Sequence, residues 1–191
     1  MDTFEVEIKF RVQNVSELEG QLRQIGGTGF GEPVTESDSF FQHPCRNFAQ
    51  TDECLRLRQR TLPDGSSEHS LTHKGPKIDI STKTRQEIEI PITEPERWES
   101  LLTALGFNKS ASIQKFRRRQ GLIVQNRHVE ILFDTLPALP VLQQQFVEME
   151  ILASDDEVEK SRKVILDLAE QLGLSEPIRD SYLKLVQNHD V

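Results

Sequence analysis

Glu5, Glu7 and Lys9 occupy every second position of the segment 4–12, with Val6, Ile8 and Phe10 between or beside them. A β-strand sends alternate side chains to opposite faces. The two carboxylates and the ammonium therefore form a row, spaced about 7 Å apart, on a strand whose other face is apolar. Such a row can hold a hard cation and an anion together. The same division recurs along the chain. Arg56 and Arg58 alternate with Leu55 and Leu57, and Thr72 shares a face with Lys74. Lys83, Arg85, Glu87 and Glu89 stand opposite Ile88 and Ile90, while Lys115, Arg117 and Arg119 share another face. Glu130 and Asp134 oppose Val129, Ile131 and Phe133; Glu148 and Glu150 oppose Val147, Met149 and Ile151.

One face per strand thus supplies the acids Glu5, Glu7, Glu87, Glu89, Glu130, Asp134, Glu148 and Glu150. It supplies an equal set of bases: Lys9, Arg56, Arg58, Lys74, Arg85, Lys115, Arg117 and Arg119. An open sheet with one solvated face also alternates, but it mixes Thr, Ser, Gln and Lys. Here Arg predominates among the bases, and its planar fork matches phosphate oxygens in pairs. Enclosing so many ions is costly unless they pair or bind something. The pattern therefore points to an antiparallel sheet curled on itself, with a wet, charged interior that takes a polyanion and a divalent metal.

Three helices must cover the apolar outer faces. The first begins at the capping sequence Asn14-Val15-Ser16-Glu17, carries Val15, Leu18, Leu22 and Ile25, and stops at Gly26-Gly27. The second starts near Thr93-Glu94-Pro95-Glu96 and ends at Gly106; the third runs from Ser154-Asp155-Asp156-Glu157 to Gly173. A short fourth helix is expected after Pro177. Besides the opening strand, the segments 33–42, 53–60, 68–75, 82–91, 111–120, 121–127, 128–134 and 145–152 read as strands. Segments 4–90 and 91–152 resemble each other as loose β-helix-β repeats. No linker rich in Pro, Ser or Gly divides the chain, so residues 1–191 read as one domain.

Composition limits the choice of partners. A net charge of −8 over 191 residues disfavours indiscriminate binding to nucleic acid or anionic membranes. No apolar run suits a bilayer span, and the charged start does not read as a signal peptide. Cys45 and Cys54 form no Cys-x-x-Cys motif and read as reduced thiols of a cytoplasmic protein. His43, His69, His73, His128 and His189 lack zinc-ligand spacing. His73 faces away from the charged side, His43 falls in a turn, and Trp98 lies on the apolar stripe of the second helix. Either Phe40 or Phe41 could border the ring of a substrate.

Read together, these residues resemble the CYTH superfamily, the triphosphate tunnel metalloenzymes. Glu5-x-Glu7-x-Lys9 is similar to its N-terminal signature, and Asp38-Ser-Phe-Phe41 to its Asp-Thr-Tyr-Phe strand. Leu55-Arg-Leu-Arg58 resembles its paired-arginine strand, Leu71-Thr-His-Lys-Gly-Pro76 its Lys-Gly-Pro strand, and Thr84-Arg-Gln-Glu-Ile-Glu89 its Arg-x-Glu segment. Asp134 and Glu148-Met-Glu150 fall where its C-terminal acidic ligands stand, and Ser181-Tyr182-Leu183 resembles its closing motif. In Gln114-Lys-Phe-Arg-Arg-Arg119 the tunnel arginine is Arg117 or Arg119.

The resemblance implies an α+β fold: an eight-stranded antiparallel closed barrel with amphipathic helices outside. It implies a Mg²⁺- or Mn²⁺-dependent reaction on a nucleoside or organic triphosphate. Glu148, Glu150 and Asp134 would hold the metal, with Glu5 and Glu7 completing the set. Lys9, Arg56, Arg58, Lys74, Arg85, Lys115, Arg117 and Arg119 would bind the phosphates, and Lys9, Arg56, Lys74 and Arg117 would also assist catalysis. Adenylyl cyclase is the first expectation and hydrolysis of thiamine triphosphate or inorganic triphosphate the second. A polyphosphate-binding module without turnover is the third. Barrels of this kind can pair as homodimers.

Overall fold

Eight antiparallel strands close into a barrel in the order β1-β5-β4-β3-β2-β6-β7-β8, with β8 returning to β1. The computed structural model describes residues 4–76 and 84–189. The strands are β1 (Phe4–Arg11), β2 (Val34–Gln42), β3 (Cys54–Thr61), β4 (Ser67–Lys74), β5 (Arg85–Ile92), β6 (Asn108–Val124), β7 (Arg127–Thr135) and β8 (Gln145–Ala153). The expected strand over 82–91 begins at Arg85; Lys83 lies outside the described residues. Among the described residues, no helix is long and apolar enough to cross a membrane.

Exchanging β1 with β5, β2 with β6, β3 with β7 and β4 with β8 maps every neighbour onto a neighbour. The internal repetition is therefore real in topology, but its boundary moves: β5 opens the second unit, so the division falls before Arg85 rather than after residue 90. The expected strands 111–120 and 121–127 are a single strand, β6. Gly121 does not break it, because it keeps its ladder place opposite Glu130. A side chain there would meet the His128 imidazole at 2.7 Å. The chain reverses only at Gln125-Asn126, whose positive φ angles of 49° and 60° suit a two-residue hairpin turn.

The outward faces carry the apolar core. Val6, Ile8 and Phe10 of β1, with Val129, Ile131, Val147, Met149 and Ile151 of β7 and β8, pack beneath α1 (Val15–Gln24) and α4 (Val158–Gln171). As the sequence indicates, Asn14 caps α1 by accepting from the Glu17 N–H, and Gly26 ends it at φ 102°. A second cluster, built on Phe41, Leu57 and Leu102, sits under α3 (Pro95–Ala104) and takes in Trp98. A third joins Leu136, Leu139 and Phe146 to α5 (Tyr182–Gln187), the short helix expected after Pro177. A single extra turn, α2 (Phe48–Thr51), is capped by Asn47. Its four residues are too few to show a periodic stripe.

Ile165 of α4 is fully buried against the barrel. Ile165→Ala should lower unfolding free energy by about 2–5 kcal/mol, measured by chemical denaturation. A loss below about 1 kcal/mol would show that α4 does not clamp this wall.

Candidate functional site: the charged lumen

With the apolar faces turned outward, the ionic faces of all eight strands meet inside. They line a cavity of about 1730 Å³. Register decides which groups touch. The β1–β8 pairing sets Glu7 beside Glu150 and Lys9 beside Glu148. One carboxylate oxygen each from Glu5, Glu7 and Glu150 then lies within 4.8 Å of the others. Lys74 reaches Glu5 at 2.7 Å and Glu87 at 2.7 Å.

Burial raises Glu5, and the neighbouring Glu87 adds to that rise against the opposing pull of Lys74. Burial likewise drives Glu150 well above the ordinary carboxylate range, reinforced by the charges of Glu5, Glu148 and Glu7. Burial opposes ionisation of Glu87, but its hydrogen bond with Glu5 and the Lys74 charge bring it down to about 2. Glu5 and Glu7 thus bring like charge close to Glu150. That donor set suits a hard divalent cation, which takes oxygen ligands.

The other walls are basic, and each guanidinium is anchored by acid. Arg58 grips Asp38 with two hydrogen bonds, of 2.6 and 2.7 Å, and meets Glu36 at 2.8 Å. Arg117 donates from Nε to Asp134 at 2.7 Å and bonds Glu148 with its other arm. Lys115 lies 3.1 Å from Asp134 and 3.4 Å from Glu36. Arg119 reaches Glu36 at 3.1 Å and Glu130 at 3.5 Å. Burial alone would raise Glu36, yet Arg117, Lys115, Arg58 and Arg119 hold it well below the usual range. Lys9 lies 3.8 Å from Glu148, and its ammonium stands 3.9 Å from the centre of the Tyr182 ring.

Some donors are left open. The buried Nε atoms of Arg56 and Arg85 have no hydrogen-bond partner among the described residues. Arg56 spends its other nitrogens on Thr72 at 3.3 Å and on looser contacts with Asp38 and Glu89. Buried guanidinium donors without an acceptor are what an entering anion would satisfy.

The expected site residues separate into groups. Glu5, Glu7 and Glu150 converge, whereas Asp134 and Glu148 are held by Arg117. Lys9, Arg56, Arg58, Lys74, Arg85, Lys115 and Arg117 all reach the lumen, and Arg119 stands at its rim, about one-third exposed. Both Arg117 and Arg119 therefore face inward, with Arg117 the deeper. Arg118 points out to Glu19 at 2.7 Å. His73 also points outward, 3.2 Å from Glu53, and the His43 Nδ1 accepts the N–H groups of Cys45 and Arg46 within its turn.

Sequence reasoning missed Glu36, which ties four bases together while fully buried. It quoted Asp38 and Tyr182 only as parts of motifs. The signal was present in Val34-Thr35-Glu36-Ser37-Asp38, where acids alternate, but the intervening residues are hydroxyls rather than hydrophobes.

The family model described as the CYTH domain matches residues 3–182. A Methanocaldococcus jannaschii protein named "Putative adenylate cyclase" is 33% identical over 184 residues, covering 95% of this chain and 97% of that protein. Aeromonas hydrophila adenylate cyclase CyaB is 30% identical over 173 residues, covering 90% and 82%. Among solved structures, the PH1819 protein of Pyrococcus horikoshii superposes with a TM-score of 0.80 at 33% identity, covering 97% of this chain and 99% of that one.

Two measurements test the lumen. Glu36→Gln should destabilise the protein by about 3–5 kcal/mol in denaturant titration, because three buried cations and the partly exposed Arg119 lose their shared anion. A neutral result would mean that these bases are hydrated rather than paired. The second follows from the raised carboxyls. Protonated Glu5 and Glu150 fit the folded state below the ordinary glutamate pKa, and stability is lost as pH rises through their higher folded values. A divalent cation held by these carboxylates would offset that loss, so the increment in melting temperature on adding one should be larger at pH 8 than at pH 5. Equal increments would contradict the assignment.

Proposed function

The chain belongs to the CYTH domain family, and from that premise we propose a divalent-metal-dependent enzyme acting on triphosphates, with conversion of ATP to cyclic AMP and pyrophosphate as its leading activity. The observation that carries this reading is the convergence of Glu5, Glu7 and Glu150 in the same lumen as the open donors of Arg56 and Arg85. Relatives at 33% and 30% identity named as adenylate cyclases support the choice of reaction.

Glu5, Glu7 and Glu150 are the residues that would hold Mg²⁺ or Mn²⁺, with Glu148 and Asp134 behind them. When bound, the ion supplies Lewis-acid stabilisation of charge on the phosphate oxygens. The protein's own part is positioning and neutralisation. Arg56, Arg85 and Lys74 meet the triphosphate from one side, and Arg117, Lys115 and Lys9 from the other. In cyclisation the ribose 3′-hydroxyl gives up its proton to water, and its oxygen bonds to the α-phosphorus as the bond to the α,β-bridging oxygen breaks. Charge then accumulates on departing pyrophosphate, where Arg56, Lys74 and Arg117 donate to it. Their fixed ion pairs keep these donors aimed before the substrate arrives, so little reorganisation accompanies the reaction.

The same lining would serve water attacking the γ-phosphorus, which makes hydrolysis of thiamine triphosphate or tripolyphosphate the competing outcome. A pure binding module would not need three converging carboxylates. We read residues 1–191 as one domain of a cytoplasmic protein whose partner is the triphosphate itself, without nucleic acid or membrane.

Incubation of the protein with ATP, thiamine triphosphate or tripolyphosphate and Mg²⁺ or Mn²⁺, with products resolved by chromatography, tests the reading. Cyclic AMP and pyrophosphate are expected from ATP. Orthophosphate alone would replace cyclisation with hydrolysis, and no product from any substrate would refute an enzyme. Glu150→Gln should lower metal-dependent turnover roughly a hundred-fold while leaving the circular dichroism spectrum intact. Full activity in that variant would remove Glu150 from the metal site.

A further inference from the structure

Glu5 would hold the cation and Lys74 the triphosphate, yet in the structure these two side chains hold each other. An ammonium carries three N–H donors and no acceptor. Glu5 Oε1 and Oε2 each lie 2.7 Å from the Lys74 Nζ, and Glu87 Oε2 lies at 2.7 Å as well. All three donors are thus directed at carboxylate oxygens. Both Lys74 and Glu5 are buried, so little water competes for the bond.

This pairing stands in the way of both ligands. Because both Glu5 oxygens accept from Lys74, the one that converges with Glu7 and Glu150 does so too. A cation on that oxygen would stand beside an ammonium, and like charges repel strongly where water is scarce. An entering phosphate would meet no open donor on Lys74, in contrast to the buried Nε atoms of Arg56 and Arg85. The pair is also the one built to move. Arg117 holds Asp134 through two atoms of a planar fork, whereas Lys74 is a point charge on a flexible four-carbon stem. Glu87 stands opposite Lys74 in the β4–β5 ladder and keeps hold of the ammonium when Glu5 lets go.

We propose that Lys74 occupies the cation's place on Glu5 until a divalent metal arrives, and that the metal releases Lys74 to the triphosphate. The exchange leaves Lys74 on Glu87 with donors to offer, near Arg85, which stands opposite Glu5 in the β1–β5 ladder. It rests on reading the lumen as a metal and triphosphate site, and adds how one ligand prepares the other. Metal and anion strengthen each other's binding because both require the same pair to part.

Calorimetric titration with Mn²⁺ at one fixed pH, without nucleotide, tests the exchange. Lys74→Gln should tighten Mn²⁺ binding about ten-fold, within the usual range for coupled sites. Lys115→Gln removes an equal charge from Asp134 and Glu36 rather than from Glu5, and should tighten it far less. A non-hydrolysable ATP analogue gives the second readout: Lys74→Gln should weaken its binding about ten-fold with Mg²⁺ present and hardly at all in EDTA. Equal gains for Mn²⁺ in the two variants, or equal losses for the analogue with and without metal, overturn the exchange while leaving the metal site standing. If Lys74→Gln does not fold by circular dichroism, the ammonium ¹⁵N resonances of the wild type serve instead. Mg²⁺ should then shift the Lys74 signal more than that of Lys115, and an unmoved Lys74 signal overturns the proposal. A wild type that binds no Mn²⁺ removes the metal reading of the lumen, and the exchange with it.

Discussion

Opposite charges held inside a closed wall, each within reach of several others, are the constraint that the remainder of this fold must satisfy. A single buried ion left unpaired costs several kcal/mol. The lumen avoids this by sharing: Glu36 serves four bases, Lys74 bridges Glu5 and Glu87, and Arg117 spans Asp134 and Glu148. Each network draws on three consecutive strands: β3, β2 and β6 around Glu36, β4, β5 and β1 around Lys74, and β6, β7 and β8 around Arg117. Turning the ionic faces inward leaves apolar faces outside. The amphipathic helices α1, α3 and α4 exist to cover them.

Topology and chemistry part company across the internal repeat. Matching strands occupy equivalent places, yet β3 carries Arg56, Arg58 and Arg60 where its counterpart β7 carries Glu130 and Asp134. Lys74 of β4 answers to the acidic strand β8. A symmetrical frame thus presents an acidic sector, β1 with β7 and β8, against a basic one centred on β3, β4 and β6. The proposed joint hold on cation and polyanion draws on this divergence of the two halves in charge sign.

Much of this was legible in the alternation. Period-two charge separated inside from outside in β1, β3, β5, β7 and β8, and caps with terminal glycines marked three helices. The convergence of Glu5, Glu7 and Glu150 was not legible, because it depends on which residue of β8 stands beside Glu7, more than 140 positions away in the chain. Asp134 and Glu148 are acids on the same inward faces, but register gives them to Arg117. Glu36 escaped notice because Thr35 and Ser37 hide its alternation, and β6 was divided at a glycine that its hairpin tolerates. Phe40 or Phe41 reads as a ring contact in the sequence; what only register shows is that Phe40 stands between Arg56 and Ala111 on the inward face.

The central claim is that metal and triphosphate share the lumen, held by opposite sectors of its wall. Diffraction from crystals grown with Mn²⁺ and a non-hydrolysable ATP analogue, with anomalous data collected at the manganese edge, tests it most directly. The account predicts an anomalous peak where Glu5, Glu7 and Glu150 converge, and phosphate density against Arg56, Arg85 and Arg117. An analogue bound on the outer surface, or manganese found only at exposed carboxylates with the lumen filled by its own ion pairs, would contradict it.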